Sequence, residues 1–551
     1  MNMLVDADLP DSRELLRRLH ELNEIGISLS RQRDTRRLLE AILVAAKKIT
    51  NADGGTLYQV DREAKIARFE ILLTDSLGIA MGGTSGTDVP FYPVRLYDQS
   101  GEPNNSMVVA YSVLHGETVN IADAYAAEGF DFSGTKSFDQ KTGYRSQSFL
   151  TVPMKNHNDE IIGVLQLINA KDRRTGSIVP FTEADQQLAE SLASQAAVAL
   201  TNSQLINQLE NLFESFIGLI NGAIDDKSPY TGGHCERVPA LTMMLAEAVN
   251  DTKEGPFANF KMTEKDRYEL KIAGLLHDCG KITTPVHVVD KATKLETIFD
   301  RIALIDTRFE IARRDAEVRM LKQQLAAPED AHGERRLAAL EFEAICSQIE
   351  SDREFLRGAN VGTEKMRSED QDRVRRIAKT YRWRDMFGED QDFLTDDELK
   401  NLTISSGTLT QEERQIINHH IDVTITMLEA LPWPSHLRNV PEYAGGHHER
   451  MDGKGYPRGL RGEQMSVQAR LMAIADIFEA LTAKDRPYKK GKTLGESLSI
   501  LRRFKENGHI DPDLFEVFMK QKVYMKYAHR FLDPEQIDGF VDAPIASSAI
   551  G

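Results

Sequence analysis

Residues 272–285, IAGLLHDCGKITTP, join an apolar run to a group of polar and charged side chains. An apolar run leads directly into the adjacent pair His277-Asp278, and Lys281 follows three residues later. An imidazole beside a carboxylate at the end of an apolar helix suits a metal site with nitrogen and oxygen ligands, and a lysine ammonium can meet a phosphate. Taken alone, the stretch also fits an ordinary helix end with a polar pair and a terminating glycine.

Three further segments carry side chains suited to the same chemistry. Residues 229–238, PYTGGHCERV, contain His234; residues 442–460, EYAGGHHERMDGKGYPRGL, contain His447-His448 and Gly455-Tyr456-Pro457; and residues 469–488, ARLMAIADIFEALTAKDRPY, place Asp476 in an apolar helix. In this order the motifs resemble those of the HD-GYP family of metal-dependent phosphodiesterases, and the resemblance covers about residues 225–545.

The resemblance implies a metal site built from five imidazoles and two carboxylates. The implied ligands are His234, His277, Asp278, His420, His447, His448 and Asp476. His420 is chosen over His419 because the family histidine falls eleven residues after Leu409. These ligands suffice for two divalent metal ions per chain, iron or manganese. Tyr230 stands where family members with a third metal place an acidic residue, which also favours two.

By the same resemblance, the expected reaction is hydrolysis of cyclic di-GMP to linear pGpG, with continuation to GMP left open. Two metals make a hydroxide available at neutral pH. The implied catalytic residues are Asp278 and Lys281, and the implied substrate-binding residues are Lys281, Tyr456, Arg486 and Lys489. Asp476 and Arg486 stand one residue further apart than in the commonest family pattern. Two alternatives remain open: a phosphodiesterase for another cyclic dinucleotide, such as cyclic GMP-AMP, and a catalytically silent receptor or interaction protein.

The composition limits the classes of partner and compartment. The chain has 551 residues, 41% of them hydrophobic and 28% charged, as expected for a multidomain globular protein. A net charge of −17 makes binding to a nucleic-acid polymer unexpected. We expect a cytoplasmic protein without a membrane span, because no secretory leader or long apolar run is present and the three cysteines show no paired spacing.

The N-terminal third predicts an α+β sensor domain over residues 21–184, after a lead-in at 1–20. A helical pattern runs from Ser12 to Ala52. Strand-like segments occupy residues 55–61, 69–73, 148–154 and 161–169. Residues 114–169 resemble a GAF domain of the type found in cyclic-nucleotide phosphodiesterases and cyclases. Asn169, Phe181 and Asp185 fit the motif of that type, whereas Ala170 and Gln186 replace its lysine and glutamate. A small-molecule ligand and a purely scaffolding role therefore both remain open.

Residues 185–224 predict one long signalling helix. Its apolar residues Leu205, Leu209, Leu212, Phe216, Leu219 and Ala223 alternate at spacings of four and three, which is the pattern of a coiled coil. An ordinary amphipathic helix is the alternative. The position of this helix between two domains favours a homodimer through residues 185–224.

The C-terminal domain, residues 225–545, is predicted to be all-α and interrupted by an insertion at 297–408. Ile298, Ile302, Ile305, Phe309, Ala312 and Ala316 show four-three spacing, and a turn at residues 326–334 precedes a second helix. This pattern predicts an antiparallel helical hairpin. The predicted fold is therefore multidomain: an α+β GAF sensor domain followed by an all-α HD-type phosphohydrolase domain with an inserted helical hairpin.

Overall fold

A computed structural model describes residues 9–32, 34–227, 233–328, 330–362, 365–484 and 491–537. The chain divides into two compact units, residues 1–213 and 214–551. The first unit combines a β-sheet with helices, and the second is almost entirely helical. This order confirms the predicted fold class.

The first unit is built on an antiparallel sheet of eight strands. The strands are β1 (Ala52–Asp61), β2 (Ile66–Thr74), β3 (Ile79–Gly82), β4 (Val94–Arg95), β5 (Val119–Ile121), β6 (Phe149–Lys155), β7 (Ile161–Lys171) and β8 (Ile178–Val179). The main order is β3-β2-β1-β7-β6-β5, with β4 beside β2 and β8 beside β7. The four predicted strands correspond to β1, β2, β6 and β7, whereas the four shorter strands were not predicted.

Both faces of this sheet are covered, which explains why the first seven residues of β1 are all buried. Leu57 packs in a cluster with residues of α2 (Thr35–Thr50) and the start of α5 (Glu183–Lys227). Its neighbour Tyr58 points to the other face and packs against residues of α3 (Val108–His115). Successive residues of a strand face opposite sides, so a strand that is covered on both faces is buried at consecutive positions. The remaining helix of the sheet region is α4 (Ser133–Thr142).

The N-terminal helix lies where the sequence shows a helical pattern. Helix α1 (Leu9–Arg31) agrees with the helical pattern expected from Ser12 and begins slightly before it, within the lead-in at 1–20. Leu22 and Leu29 are 4% and 2% exposed and belong to the core beside α2 and α5. Their burial gives the helix a tertiary partner, which local sequence does not reveal.

The three residues that fit the GAF motif have structural contacts. The Asn169 carboxamide accepts hydrogen bonds from the backbone of Gln147 and Ser148 at 2.7 and 3.3 Å. Phe181 is buried in the core. The Asp185 carboxylate accepts bonds from the Thr182 backbone and hydroxyl at the start of α5. The trio therefore stabilises two loops and a helix start.

Helix α5 presents two apolar faces beyond residue 204. Ile217 and Ile224 are 2% and 3% exposed, whereas five residues on another face are 46–70% exposed. That exposed stripe consists of Leu205, Leu209, Leu212, Phe216 and Leu219. Like every helix among the described residues, α5 lacks the apolar length needed to cross a lipid bilayer.

The end of α5 belongs to the second unit. The Asn221 amide donates to the carbonyl of Leu275 at 2.9 Å, and Lys271 contacts the Glu214 carboxylate at 2.9 Å. Lys227 donates to the carbonyl of Ile282. The contact boundary at residues 213 and 214 therefore precedes the boundary predicted at 224 and 225.

Helices form the body of the second unit. They are α6 (His234–Asn250), α7 (Glu264–Leu276), α8 (Val286–Val289), α13 (Gln411–Glu429), α14 (Val440–Gly445), α15 (Val467–Thr482), α16 (Leu494–Glu506), α17 (Pro512–Lys520), α18 (Val523–Phe531) and α19 (Pro534–Ile537). Short 3₁₀ turns occupy Cys279–Thr283 and Gly462–Gln464. Capping boxes at Thr263 and Thr410 define the starts of α7 and α13.

The insertion contains the predicted helical hairpin together with four further elements. Its elements are α9 (Ile302–Ala326), α10 (His332–Asn360), α11 (Ser368–Thr380), β9 (Arg382–Arg384), β10 (Asp390–Asp392) and α12 (Asp396–Leu402). Arg353 contacts Glu310 and Arg357 contacts Asp306, as antiparallel pairing requires. Ile298 precedes α9 and is 96% exposed, so its place in the predicted seam is wrong. The elements share a core that includes Phe309, Ile349 and Phe393.

Candidate metal centre

Five separate segments bring all seven predicted ligands together. His234 opens α6, His277-Asp278 follow α7, His420 lies in α13, His447-His448 follow α14, and Asp476 lies in α15. They form two groups. Within each group, the candidate ligand nitrogen and oxygen atoms all lie within 4.8 Å of one another. One group contains His234, His277 and Asp476; the other contains Asp278, His420, His447 and His448.

The Asp278 carboxylate faces both groups. Its Oδ2 lies 2.9 Å from Nε2 of His234 and 3.2 Å from Nε2 of His277. Its Oδ1 lies 3.2 Å from Nε2 of His420. One carboxylate can therefore serve a cation in each group, as in two-metal sites that share a bridging ligand.

Gly280 permits the close approach that places Asp278 beside α13. A Cβ atom at this position would lie 2.0 Å from the carbonyl oxygen of His420. The Gly280 N–H donates to the Thr424 hydroxyl at 2.9 Å, which holds the 3₁₀ turn on the helix. Position 280 therefore requires a glycine for its close contact with α13. The sequence alone had suggested only that this glycine ends a helix.

Backbone carbonyls orient three of the imidazoles. Nδ1 of His277 donates to the carbonyl of Gly274 at 2.7 Å, and His447 does the same to Ala444 at 2.5 Å. His420 donates to Ile417 at 2.5 Å. A carbonyl can only accept, so each Nδ1 carries the proton and each Nε2 keeps its lone pair for a cation.

A carboxylate that sequence reasoning missed orients His234. Glu479 is 1% exposed and lies 2.6 Å from Nδ1 of His234 and 2.7 Å from Nε of Arg237. Burial opposes its ionisation, but His234 and Arg237 outweigh burial and lower the pKa of Glu479 to about 2. The available signal was a glutamate three residues after Asp476 in an otherwise apolar helix.

Unsatisfied buried atoms show that the two groups fit cations. Nε2 of His447 and Oδ1 of Asp278 are buried and have no hydrogen-bond partner. The Nε2 atoms of His234 and His277 approach to 3.3 Å, as do those of His420 and His448. Buried polar atoms without partners are costly, and neutral imidazoles with carboxylates suit divalent transition metals. The residues therefore fit divalent metal ions.

The electrostatics favour neutral imidazoles in one group and a persistent cation at Lys281. Burial, with His277 nearby, lowers the pKa of His447 to about 4. Burial also disfavours the Lys281 ammonium, but Asp278 and Asp476 outweigh it and raise the pKa of Lys281. Nζ of Lys281 lies 2.5 Å from Oδ2 of Asp278. The site thus keeps a positive side chain next to the shared carboxylate.

The loop after His448 places Tyr456 at the edge of the site. The Tyr456 ring stacks on His448 with centroids 4.8 Å apart and planes inclined by 27°. The buried Glu449 carboxylate accepts from the backbone N–H groups of Arg458 and Leu460 at 2.7 and 2.8 Å. A Cβ on Gly455 would lie 2.5 Å from Glu449 Cα. Glu449, also missed from sequence, therefore fixes the loop that carries Tyr456.

Three predictions lie outside the described residues. The phosphate-binding candidates Arg486 and Lys489 fall within 485–490, and Tyr230 falls within 228–232. By contrast, His419 and His420 are both described. His420 is 3% exposed and belongs to the second group, whereas His419 has a 67% exposed side chain paired with Asp422.

Comparison with protein families places known domains on both units. The GAF domain family matches residues 34–200, and two HD domain families match residues 231–379 and 396–514. A GAF domain structure from a phosphoenolpyruvate-protein phosphotransferase of Coxiella burnetii covers 35% of this chain and 98% of its own length, at 14% identity and a TM-score of 0.27. That score is too low to add to the fold assignment.

Curated relatives match short regions of the chain. The 3'3'-cGAMP-specific phosphodiesterase 1 of Vibrio cholerae is 46% identical over 81 residues, covering 15% of this chain and 19% of the relative. The cyclic di-GMP phosphodiesterase PA4108 of Pseudomonas aeruginosa is 43% identical over 115 residues, covering 21% of this chain and 26% of the relative. A cyclic di-GMP phosphodiesterase of Thermotoga maritima is 34% identical over 119 residues, covering 22% of this chain and 32% of the relative. The chain thus spans less than a third of the length of each of these relatives.

Proposed function

We propose that this chain, which joins a GAF domain to HD domains in keeping with an HD-GYP protein, is a metal-dependent cyclic-dinucleotide phosphodiesterase. The observation that carries the proposal is the meeting of seven predicted ligands in two groups that share Asp278. Relatives named as cyclic di-GMP and 3'3'-cGAMP phosphodiesterases support the substrate class. Cyclic di-GMP is the proposed substrate, and pGpG is the proposed product.

We assign the residues of the site as follows. His234, His277 and Asp476 would hold one divalent ion, His420, His447 and His448 would hold a second, and Asp278 could serve both. Ions bound there would supply an activated water and neutralise charge on the phosphate. Lys281 adds a fixed positive charge where negative charge develops on phosphate oxygens. Tyr456 borders the substrate, and Arg486 and Lys489 remain proposed phosphate contacts.

The rigidity of the side chains supports catalysis rather than silent binding. The protonated Nδ1 atoms of three histidines are tied to carbonyl oxygens, and His234 is tied to Glu479. Groups held in this way need no reorganisation when charge develops on the substrate. An intact, oriented ligand set therefore favours an enzyme over a receptor.

The proposal for the whole chain has four further parts. The metals are iron or manganese, because histidine and carboxylate ligands suit both. The exposed stripe of α5 forms a homodimer, since a coiled-coil pattern remains uncovered in the single chain. The GAF domain regulates turnover, through a small-molecule ligand or as a scaffold. The location is cytoplasmic, which the unpaired spacing of the cysteines favours.

Turnover by purified protein tests the proposal. Anaerobically prepared, iron- or manganese-loaded protein should hydrolyse cyclic di-GMP, and chromatography should detect pGpG. Cyclic GMP-AMP assayed in parallel separates the two enzymatic alternatives, because the sequence motifs specify phosphodiester chemistry rather than the base. Binding without hydrolysis of either compound, in protein with full metal content, would support the receptor instead.

A further inference from the structure

A cleft beside the two ligand groups extends well beyond them. The cavity measures about 470 Å³, and His447, His448 and Asp476 line one part of it. The lining of the remainder includes Ile477 and Leu481 of α15, together with Phe504 and His509. Neither aromatic residue belongs to the ligand groups, and cavities of this size accept small organic ligands.

Phe504 and His509 form a stacked aromatic pair. Their ring centroids lie 4.5 Å apart, and the ring planes are inclined by 27°. The backbone N–H of His509 donates to the carbonyl of Phe504 at 2.8 Å, which closes the turn after α16. Both side chains are half-buried and line the cleft.

This pair is fixed to the loop that carries the predicted metal ligands. Met451 donates its N–H to the carbonyl of His509 at 3.3 Å, and Asp452 donates to Gly508 at 2.9 Å. The Arg450 guanidinium makes two bonds to the Asp452 carboxylate, at 3.1 and 2.8 Å. His447 and His448 immediately precede this segment. The aromatic pair therefore has a defined position relative to them.

We propose that Phe504 and His509 form the wall against which a purine base of the substrate stacks. This inference rests on the proposed function, because the site places a phosphate among the histidines. A base attached to that phosphate extends into the same cleft, where Ile477 and Leu481 supply apolar surface. Flat aromatic rings bind bases through their π-faces. The wall thus selects purines over pyrimidines by stacking area.

Substrates that differ in their bases test the wall directly. For Phe504→Ala we expect kcat/KM to fall about tenfold or more with cyclic di-GMP, and less with cyclic di-UMP, because purines stack more strongly. The change should lie mainly in KM, since the scissile phosphate keeps its contacts. Phe504→Tyr should retain the purine preference. Phe387→Ala, which removes a 79% exposed phenylalanine of the insertion, should behave as wild type.

Binding measurements separate failure of the wall from failure of the proposed function. Absence of turnover by wild-type protein would contradict the function alone. Calorimetric titration of metal-loaded protein with GMP and UMP still tests the wall, and Phe504→Ala should weaken GMP binding more than UMP binding. His509→Leu provides a second variant with the same expectation. Equal losses for both nucleotides, or no loss in either variant, would overturn the inference.

Discussion

His419 and His420 are neighbours on α13 with opposite surroundings. His419 has a largely exposed side chain beside Asp422, whereas His420 is buried with Nδ1 bonded to the Ile417 carbonyl. Adjacent helix residues point in different directions, so only one of them can face the histidine groups. The two residues therefore form a matched pair for testing the site.

We expect His420→Ala to abolish hydrolysis and His419→Ala to leave it unchanged. Loss of a partner of a metal ligand already costs about 10–100-fold, so loss of a ligand should cost at least as much. The measurements are kcat/KM and metal content, with circular dichroism as the check on folding. Full activity of His420→Ala at saturating metal would contradict the assignment.

Glu479 controls His234 without belonging to either ligand group. Glu479→Gln keeps the size of the side chain but removes the charge that faces His234 and Arg237. We expect metal affinity to fall about 10–100-fold with little change in secondary structure. Equilibrium metal titration provides the measurement, and Glu398→Gln, a buried carboxylate of the insertion, provides the control. Equal metal affinity of Glu479→Gln and wild type would refute this role.

The same variant has a predicted pH signature in metal-free protein. The pKa of Glu479, about 2 in the folded chain, lies below its ordinary value of 4.5. Its ionisation therefore stabilises the folded protein fully above about pH 4.5, and the contribution is lost as the pH falls toward 2. The difference in unfolding free energy between wild type and Glu479→Gln should be larger at pH 6 than at pH 3. Urea denaturation at the two pH values measures it.

At the scale of elements, α5 combines a buried apolar face and an exposed apolar face in one helix. Its buried face, with Ile217 and Ile224, packs within the second unit, and Asn221 bonds to the carbonyl of Leu275 two residues before His277. Its other face leaves the apolar stripe exposed. A rotation of this helix would thus reach the backbone beside His277.

We expect Leu209→Glu and Phe216→Glu to dissociate a homodimer. Burial of each such side chain contributes about 1.5–3 kcal/mol, and a charge in a coiled-coil seam removes this gain. Light scattering at micromolar concentration should give a dimer for wild type and a monomer for the double variant. Gln208→Glu, beside the stripe on the same helix, is the control. A monomeric wild type would exclude the interface.

The insertion should be dispensable for the chemistry. No member of the two ligand groups lies within residues 297–408, and the Thr408 hydroxyl bonds to the Lys291 carbonyl at 2.9 Å. A short Gly/Ser linker can therefore join Lys294 to Leu409. Lys294 should also become methionine, because its acceptors at Leu402 and Ile404 are removed. We expect retained turnover, with Lys294→Met in the full chain as the control. A folded deletion variant without activity would place the insertion in the site.

At the scale of the whole molecule, the sequence predicted the elements that carry local signals. The ligand motifs have fixed residue types and spacing, so five distant segments could be assigned to one site before their geometry was known. The long strands and the hairpin follow from period and length. The short strands β3, β4, β5 and β8 have two to four residues, too few for a periodic signal.

The features that were missed depend on tertiary contacts. Glu449 and Glu479 are single carboxylates whose roles arise from partners far along the chain or around a loop. Ile298 fitted the four-three spacing but precedes the helix and is exposed. The prediction failed there because apolar spacing alone does not locate the start of a helix.

Two metals per active chain is the expected stoichiometry. Within the part of the chain that the structure describes, the candidate ligands form two groups, and Asp278 faces both. Tyr230, outside those residues, stands at the position of an acidic third-metal ligand, and a neutral phenol with an ordinary pKa of about 10 binds hard divalent ions poorly. Elemental analysis of anaerobically purified protein should give two iron or manganese ions per chain, with the same value for Tyr230→Phe. Three tightly held ions, one of which is lost in Tyr230→Phe, would show that the phenol is a ligand and that the site extends beyond these two groups.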